Sequence, residues 1–330
     1  MTLARDALRS APRRPQPEWT APMLAVLTHE RFSDPGWVFE RKLDGVRCLA
    51  FRRRGEVKLR SRTRQELGGT YPELVDALGE QDAVAFIADG EVVAFEGAQT
   101  SFARLQQRLG IRDPERARRS GVEVFYYLFD LLYLDGHDTA GLPLRERKAL
   151  LRDALAFDDP LRYLPHRDTD GERFYEQACH DGWEGLIAKR ADAPYQHKRS
   201  RDWLKFKCVS EQEFVIGGYT DPTGTRIGFG ALLVGYYDDR GVLRYAGKVG
   251  TGYSDSVLRE LRARLEAIER EEPPFAGDDL PRRGVHWVAP ELVAQIGFTE
   301  LTGDRKLRHP RFLGVRDDKP PREVVLEAPA

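Results

Sequence analysis

Apolar and polar positions alternate through GWVFERKLDGVRCLAFRRRGEVKLRSRTRQEL, and this period of two predicts a β-hairpin turning near Arg54-Gly55. On its return strand Lys58, Arg60, Arg62 and Arg64 share one face, while Val57, Leu59, Ser61 and Thr63 take the other. One face of the hairpin is therefore a basic stripe. Thr70 and Glu73 have the T-x-x-E spacing of a capping box, opening a helix with Leu74, Val75 and Leu78 inward. AVAFIADGEVVAF reads as a strand pair, SFARLQQRLG as a helix closed by Gly110, and GVEVFYYLFDLLYLDG as a long strand ending in Asp135-Gly136. LPLRERKALLRDAL and ERFYEQACHDG read as helices. WEGLIAKRA and DWLKFKCV read as short strands separated by a basic loop.

The pattern changes near residue 209. Short strands punctuated by Gly and Pro follow, with one helix capped by Ser254 that carries Leu258, Leu261, Leu265 and Ile268 at helical spacing. VHWVAPELVAQIGFTELT then resumes strand character. Several strands with one interposed helix suggest a small Greek-key barrel of the OB type.

Composition narrows the class. A chain of 330 residues exceeds one ordinary core and is enough for two domains. No run approaches the roughly 20 apolar residues a membrane helix needs, and the N-terminus lacks the apolar region of a secretory signal, so a cytoplasmic protein is expected. Cys48, Cys179 and Cys208 lie far apart without a C-x-x-C pair, which fits a reducing compartment and argues against a zinc site. The net charge is only −1, so a nucleic-acid partner has to be sought in how the charge is distributed.

Candidate chemistry begins with Lys42, Asp44, Gly45 and Arg47, which satisfy K-x-D-G-x-R. Alone, the pattern reads equally well as a charged strand end turning through Gly45. Four further segments weigh against that reading. DGEVVAF carries Glu91, LFDLLYLDG carries Phe129, WEGLIAKR carries Glu184 and Lys189, and DWLKFK carries Lys205 and Lys207. Strand parity puts Trp203, Lys205 and Lys207 on one face, and Leu204, Phe206 and Cys208 on the opposite one.

The ordered set ERKLDGVR, LRSR, DGEVVAF, FDLLYLDG, EGLIAK and WLKFK, followed by LRHPRFLGVRDDK, resembles the nucleotidyltransferase motifs of ATP-dependent DNA ligases. The match runs from about Pro22 to Glu327. PLRERKALL, QEFVIGGYT, GFGALLVG and HPRFLGVRDDKP resemble the ligase module of the bacterial end-joining ligase D family. The resemblance implies an α+β chain: a flexible lead-in over residues 1–21, an ATP-grasp-like adenylation domain of antiparallel sheets and helices over 22–209, and a β-barrel OB-fold domain over 210–330.

It also implies an activity, the sealing of 5′-phosphate/3′-hydroxyl breaks in duplex DNA during end-joining repair. Lys42 would attack the α-phosphorus of ATP and form lysyl-AMP. AMP would pass to the 5′-phosphate, and the 3′-hydroxyl would then displace it. Arg47, Lys205 and Lys207 with a metal ion would lower the lysine pKa, against Asp44 and Glu40. Glu40 would help hold adenine, Phe129 would stack on it, and Glu91 would contact the ribose or a metal-bound water. Glu184, with Glu91, would hold Mg²⁺, for which Mn²⁺ could substitute. Lys189, Lys205 and Lys207 would neutralise the α-phosphate. Arg308, Arg311, Arg316 and Lys319 would reach the β- and γ-phosphates through closure about a hinge near 208–212. Arg60, Arg62, Arg64, Lys198 and Arg199 would grip DNA phosphates, with Arg62 also counted among the nucleotide-site residues. The implied partners are nicked or broken duplex DNA and a Ku-like end-binding protein, met by a monomer at the nucleoid. An RNA-joining or capping-type nucleotidyltransferase is the alternative.

Overall fold

The run that periodicity draws as one strand from Trp37 to Arg53 is two strands in different sheets, broken at Leu43–Gly45. In the computed structural model, residues 2–208, 210–222, 224, 226–277 and 279–327 are described. The chain divides after residue 208 into two units, each with its own core. In the first unit the elements run α1 (Thr2–Ser10), β1 (Leu24–Leu27), β2 (Trp37–Lys42), β3 (Val46–Arg53), β4 (Glu56–Ser61), α2 (Pro72–Gly79), β5 (Ala85–Val93), β6 (Phe95–Glu96), β7 (Gln99–Thr100), α3 (Phe102–Gln106), α4 (Pro114–Arg118), β8 (Phe125–Leu134), β9 (His137–Asp138), α5 (Leu144–Ala154), β10 (Leu161–Tyr163), β11 (His166–Asp168), α6 (Gly171–His180), β12 (Gly185–Arg190) and β13 (Arg199–Lys207).

Two sheets organise this unit. One has the order β1-β13-β12-β2-β11; the other has β10-β8-β5-β3-β4, with β9 on β8. All their pairings are antiparallel except β1 with β13 and β10 with β8. Alternation assigns the faces. Phe39, Leu186, Ala188 and Phe206 of the first sheet are buried against Phe174 and Ala178 of α6. Cys48, Ala50, Phe86, Ala88 and Leu128 of the second pack with Leu74 and Leu78 of α2 and Leu150 and Leu151 of α5. The remaining faces turn toward each other, and Leu49, Ile87 and Phe129 meet Met23 and Trp203 there.

Several local expectations are corrected. AVAFIADGEVVAF is not a strand pair: β5 passes straight through Asp89-Gly90, and the carbonyl of Tyr127 would lie 2.5 Å from a Cβ at position 90. Gly90 serves close approach rather than a turn. The basic stripe is shorter than its period suggests, because β4 ends at Ser61. Ser61 Oγ accepts hydrogen bonds from the Thr63 and Gln65 amides, and Arg64 adopts a left-handed φ of 67°. Arg62 and Arg64 therefore stand on a turn. The capping box does not form: Pro72 opens α2 and no side chain caps it, while Glu73 takes the guanidinium of Arg108 at 2.6 Å. The lead-in is structured, with α1 followed by a buried Ala11 and by Gln16, whose amide donates to the carbonyls of Arg52 and Phe86. Cys179 and Cys208, read as separate thiols, form a disulfide between the last turn of α6 and the residue after β13, leaving Cys48 as a buried free thiol.

The second unit is also mixed, which makes the whole chain α+β. Its sheet runs Leu243–Val249, Leu232–Tyr237, Ser210–Thr220, Val285–Phe298 and Glu269–Arg270, with Arg311–Val315 along the far half of Val285–Phe298. The helix Asp255–Glu266 is capped by Ser254 Oγ and buries Leu258, Leu261 and Leu265 on this sheet. Among the described residues the edge strands do not pair with each other, so the barrel expected from the strand pattern is left open. No helix among the described residues is long and apolar enough to cross a membrane.

Candidate active site

Register across β2, β12 and β13 builds one wall of a cleft in the first unit. Lys42, Gly185 and Lys207 form one row, Glu40, Ile187 and Lys205 the next, and Val38, Lys189 and Trp203 the third. Residues directly opposite in neighbouring strands project to the same side, so Lys42, Glu40, Lys189, Lys205 and Lys207 share this face. Gly185 is required at its place. Its φ is 147°, and a Cβ there would lie 1.8 Å from the Phe206 carbonyl oxygen. The Lys42 ammonium is paired with Glu184 Oε1, from the residue just before β12.

The second sheet supplies the facing wall. Arg47 on β3 pairs with Glu91 on β5 in register, and Glu91 lies opposite Tyr127 on β8. Arg47 makes a bidentate pair with Asp89, both distances being 2.6 Å. Asp89 in turn accepts the hydroxyl of buried Tyr195 at 2.6 Å. Burial opposes the Arg47 charge, but Asp89 outweighs it and the pKa is raised, so the guanidinium stays protonated. It lies 4.6 Å from the Phe129 ring centroid, and Phe129 meets Trp203 edge-on at 6.1 Å. Asp44 sits between the walls, where its carboxylate accepts the Phe102 amide at the start of α3.

Beneath Lys42 lies a buried ionic triad. Glu40 is held by Lys148 at 2.6 Å and by Lys189 at 2.6 Å, with all three side chains no more than 2% exposed. Burial alone would raise the Glu40 pKa; the two ammonium groups outweigh it and lower it. Lys189 is 4.1 Å from the ring centroids of both Phe129 and Trp203. The Lys189 ammonium, expected at the α-phosphate, lies here against Glu40 and the aromatic floor. Burial, offset in part by Glu40 and reinforced by Lys148, pushes its pKa down to about 8.

That shift gives a pH prediction. Between about 8 and the unfolded value near 10.4 the unfolded chain binds more protons at Lys189. The stability tied to neutral Lys189 is therefore full above about 10.4 and lost as pH falls through about 8. Urea titrations of wild type and Lys189→Met should diverge in favour of wild type as pH rises from 8 to 10, by about 2–3 kcal/mol. A pH-independent difference would refute the shift.

Within the first unit, the residues expected to grip DNA are not gathered into this face. Arg60 pairs with Glu66 at 2.7 Å, Arg62 is half-buried on the turn, and the Arg64 guanidinium lies 5.1 Å from the Trp19 ring centroid. Lys198 and Arg199 are exposed at the start of β13. In the second unit Arg311 is exposed and Arg308 meets Glu300 at 2.6 Å. There too, Arg316 makes a bidentate pair with Asp318, and Lys319 lies 3.5 Å from Glu213. Sequence reading missed Asp89, Tyr195, Lys148 and the fully buried pair Arg147–Asp130. A signal existed for two of these: Leu144, Arg147, Lys148 and Leu151 occupy i, i+3, i+4, i+7, the spacing of a buried stripe.

Comparison with known proteins points one way. Residues 22–207 match the family described as ATP dependent DNA ligase domain, and residues 225–319 match ATP dependent DNA ligase C terminal region. The multifunctional non-homologous end joining protein LigD of Pseudomonas aeruginosa is 38% identical over 99% of this chain and 39% of its own length. The multifunctional non-homologous end joining DNA repair protein LigD of Mycobacterium tuberculosis is 38% identical over 93% of this chain and 40% of its own. This chain thus spans about 40% of the length of these curated relatives. Among solved structures, mycobacterial DNA ligase D complexed with ATP and MES superposes with a TM-score of 0.67 at 34% identity, covering 93% of this chain and 98% of that one.

Proposed function

The chain belongs to the ATP-dependent DNA ligases, and on that premise we propose that the Lys42 amine is its nucleophile and that it seals 5′-phosphate/3′-hydroxyl breaks in duplex DNA during end joining. The observation that carries the reading is the face shared by Lys42, Lys205 and Lys207, opposed by Arg47 and Phe129. The amine of Lys42 attacks the α-phosphorus of ATP, a P–N bond forms, the bond to the β-phosphate oxygen breaks, and pyrophosphate leaves with its electron pair. Lys205 and Lys207 stand beside the nucleophile, where negative charge gathers on the α-phosphate oxygens. Arg47, braced by Asp89, contacts the ribose or phosphates without having to be ordered when nucleotide binds. Phe129 stacks on the purine, with Glu40 and Lys189 at its edge.

A divalent ion belongs to the same reading. Glu184 and Glu91 offer hard carboxylate oxygens on the two walls of the cleft, which suit Mg²⁺. The ion would supply charge neutralisation for the leaving pyrophosphate. Glu184 holds the Lys42 ammonium in place, and exchange of that contact frees the amine, whose proton must leave before attack. Arg316 and Lys319, now held by carboxylates of their own unit, would trade these partners for the β- and γ-phosphates. An end-binding partner delivering broken ends belongs to the same proposal, as does action as a monomer.

Incubation with α-labelled ATP and Mg²⁺, followed by peptide mass spectrometry, tests the reading. AMP should appear on Lys42; no adduct, or labelling by GTP in place of ATP, would overturn it. DNA contact has its own test. Lys198→Ala with Arg199→Ala should reduce the slope of log K against log salt for nicked duplex by about 2, as for two lost phosphate contacts, with lysyl-AMP formation near wild type. An unchanged slope would remove these residues from the DNA track.

A further inference from the structure

We propose that Lys148 is a positioning residue of the nucleotide cleft: its ammonium, held by Glu40 and two main-chain carbonyls, fixes the spacing between the strand that carries Lys42 and the strand that carries Phe129. This rests on the reading of the cleft as the adenylation site.

Lys148 lies on α5 and is 1% exposed. Its stripe partners Leu144 and Leu151 are fully buried, so an apolar residue is the ordinary occupant of this position. Instead its Nζ donates to Glu40 Oε1 at 2.6 Å, to the Leu164 carbonyl at 3.1 Å and, more weakly, to the Phe129 carbonyl at 3.5 Å. An ammonium has three N–H groups, and each of these has an acceptor here. The acceptors come from both sheets. Glu40 belongs to β2, two residues before Lys42, whereas Phe129 belongs to β8 and Leu164 follows β10, the neighbour of β8. The Tyr163 ring, 4.8 Å away, closes the remaining side. Burying a cation is costly unless it is fully paired, and here the pairing spans the two layers that form the cleft walls.

This placement separates Lys148 from residues that touch nucleotide. It sits behind Glu40, and its influence passes through that carboxylate and through the backbone of Phe129. It also adds to the fall in the Lys189 pKa, so one side chain bears on three groups at the purine end. A lysine that only neutralised Glu40 would matter for stability and leave ATP affinity untouched.

The experiment is self-adenylation of the full chain, read as lysyl-AMP formed against ATP concentration, together with circular-dichroism melting. Lys148→Met should raise KM for ATP at least tenfold with kcat within about threefold, because spacing governs binding of the purine more than attack by Lys42. Lys148→Gln, which drops the charge but keeps N–H donors, should move KM in the same direction and carries the test if the methionine variant does not melt cooperatively. An unchanged KM in whichever variant folds overturns the proposal. In Glu40→Gln/Lys148→Met the KM defect should not exceed that of the worse single variant, whereas defects that multiply would overturn the route through Glu40. A wild-type chain that forms no adduct overturns the adenylation reading as well; an adduct with unchanged KM overturns only the role of Lys148.

Discussion

Lys42→Arg is expected to abolish self-adenylation, by at least about a thousandfold, while leaving the first unit folded. The arginine keeps a cation beside Glu184, the partner that holds Lys42, so the local charge balance is retained. Its guanidinium does not deprotonate at accessible pH, so no free amine is available to attack phosphorus. A thousandfold corresponds to about 4 kcal/mol of lost transition-state stabilisation, and removal of a covalent nucleophile reaches that magnitude. Sealing of a nick already carrying AMP on its 5′-phosphate needs no lysyl adduct, so this variant should retain a substantial part of it. Lysyl-AMP formation by Lys42→Arg at a rate near wild type would move the nucleophile elsewhere. Loss of both activities with a normal melt would instead tie Lys42 to the last step as well.

Arg147→Met is expected to produce the largest loss of stability, about 3–5 kcal/mol, seen as a fall of roughly 10 °C in Tm. Arg147 and Asp130 are both 0% exposed, joined by two hydrogen bonds of 2.7 and 2.9 Å. The same guanidinium donates to the carbonyls of Leu142 and Ala193. Methionine fills much of the volume but leaves an uncompensated carboxylate in the interior, which is the costly half of a broken buried pair. Asp130→Asn in the same chain should recover part of the loss. Arg145, two residues away, provides the control: its pair with Asp168 is exposed, so Arg145→Ala should cost less than about 1 kcal/mol. Equal effects at 145 and 147 would show that burial is not what sets the energy.

Much of the candidate site was legible because strand parity is a strict rule. Once WLKFK is a strand, Trp203, Lys205 and Lys207 must share a face, and the register with Gly185 and Lys42 supplies the rest. What escaped is non-local. Nothing in ERKLDGVR says that the segment leaves one sheet at Lys42 and enters another at Val46; that depends on pairing with β12 on one side and β5 on the other. Asp89-Gly90 has the composition of a turn, yet the charge of Arg47 and the approach of Tyr127 decide its conformation. Nothing in EGLIAK places Lys189 beside Glu40, the carboxylate that Lys148 also holds. The spacing of Arg147 and Lys148 marks a buried stripe but does not name their carboxylate partners, Asp130 on β8 and Glu40 on β2. The disulfide of Cys179 and Cys208 likewise depends on α6 and β13 coming together.

The order of strands in the sheet that bears Lys42 has a consequence for how the chain is made. β1 pairs with β13, and β2 lies between β12 and β11, all of which are translated well after β1 and β2. At about 5–20 residues per second, the strand holding Lys42 waits on the order of ten seconds for its neighbours. During that interval Val38 and Phe39 lack the strand pairing that β11 and β12 later give them.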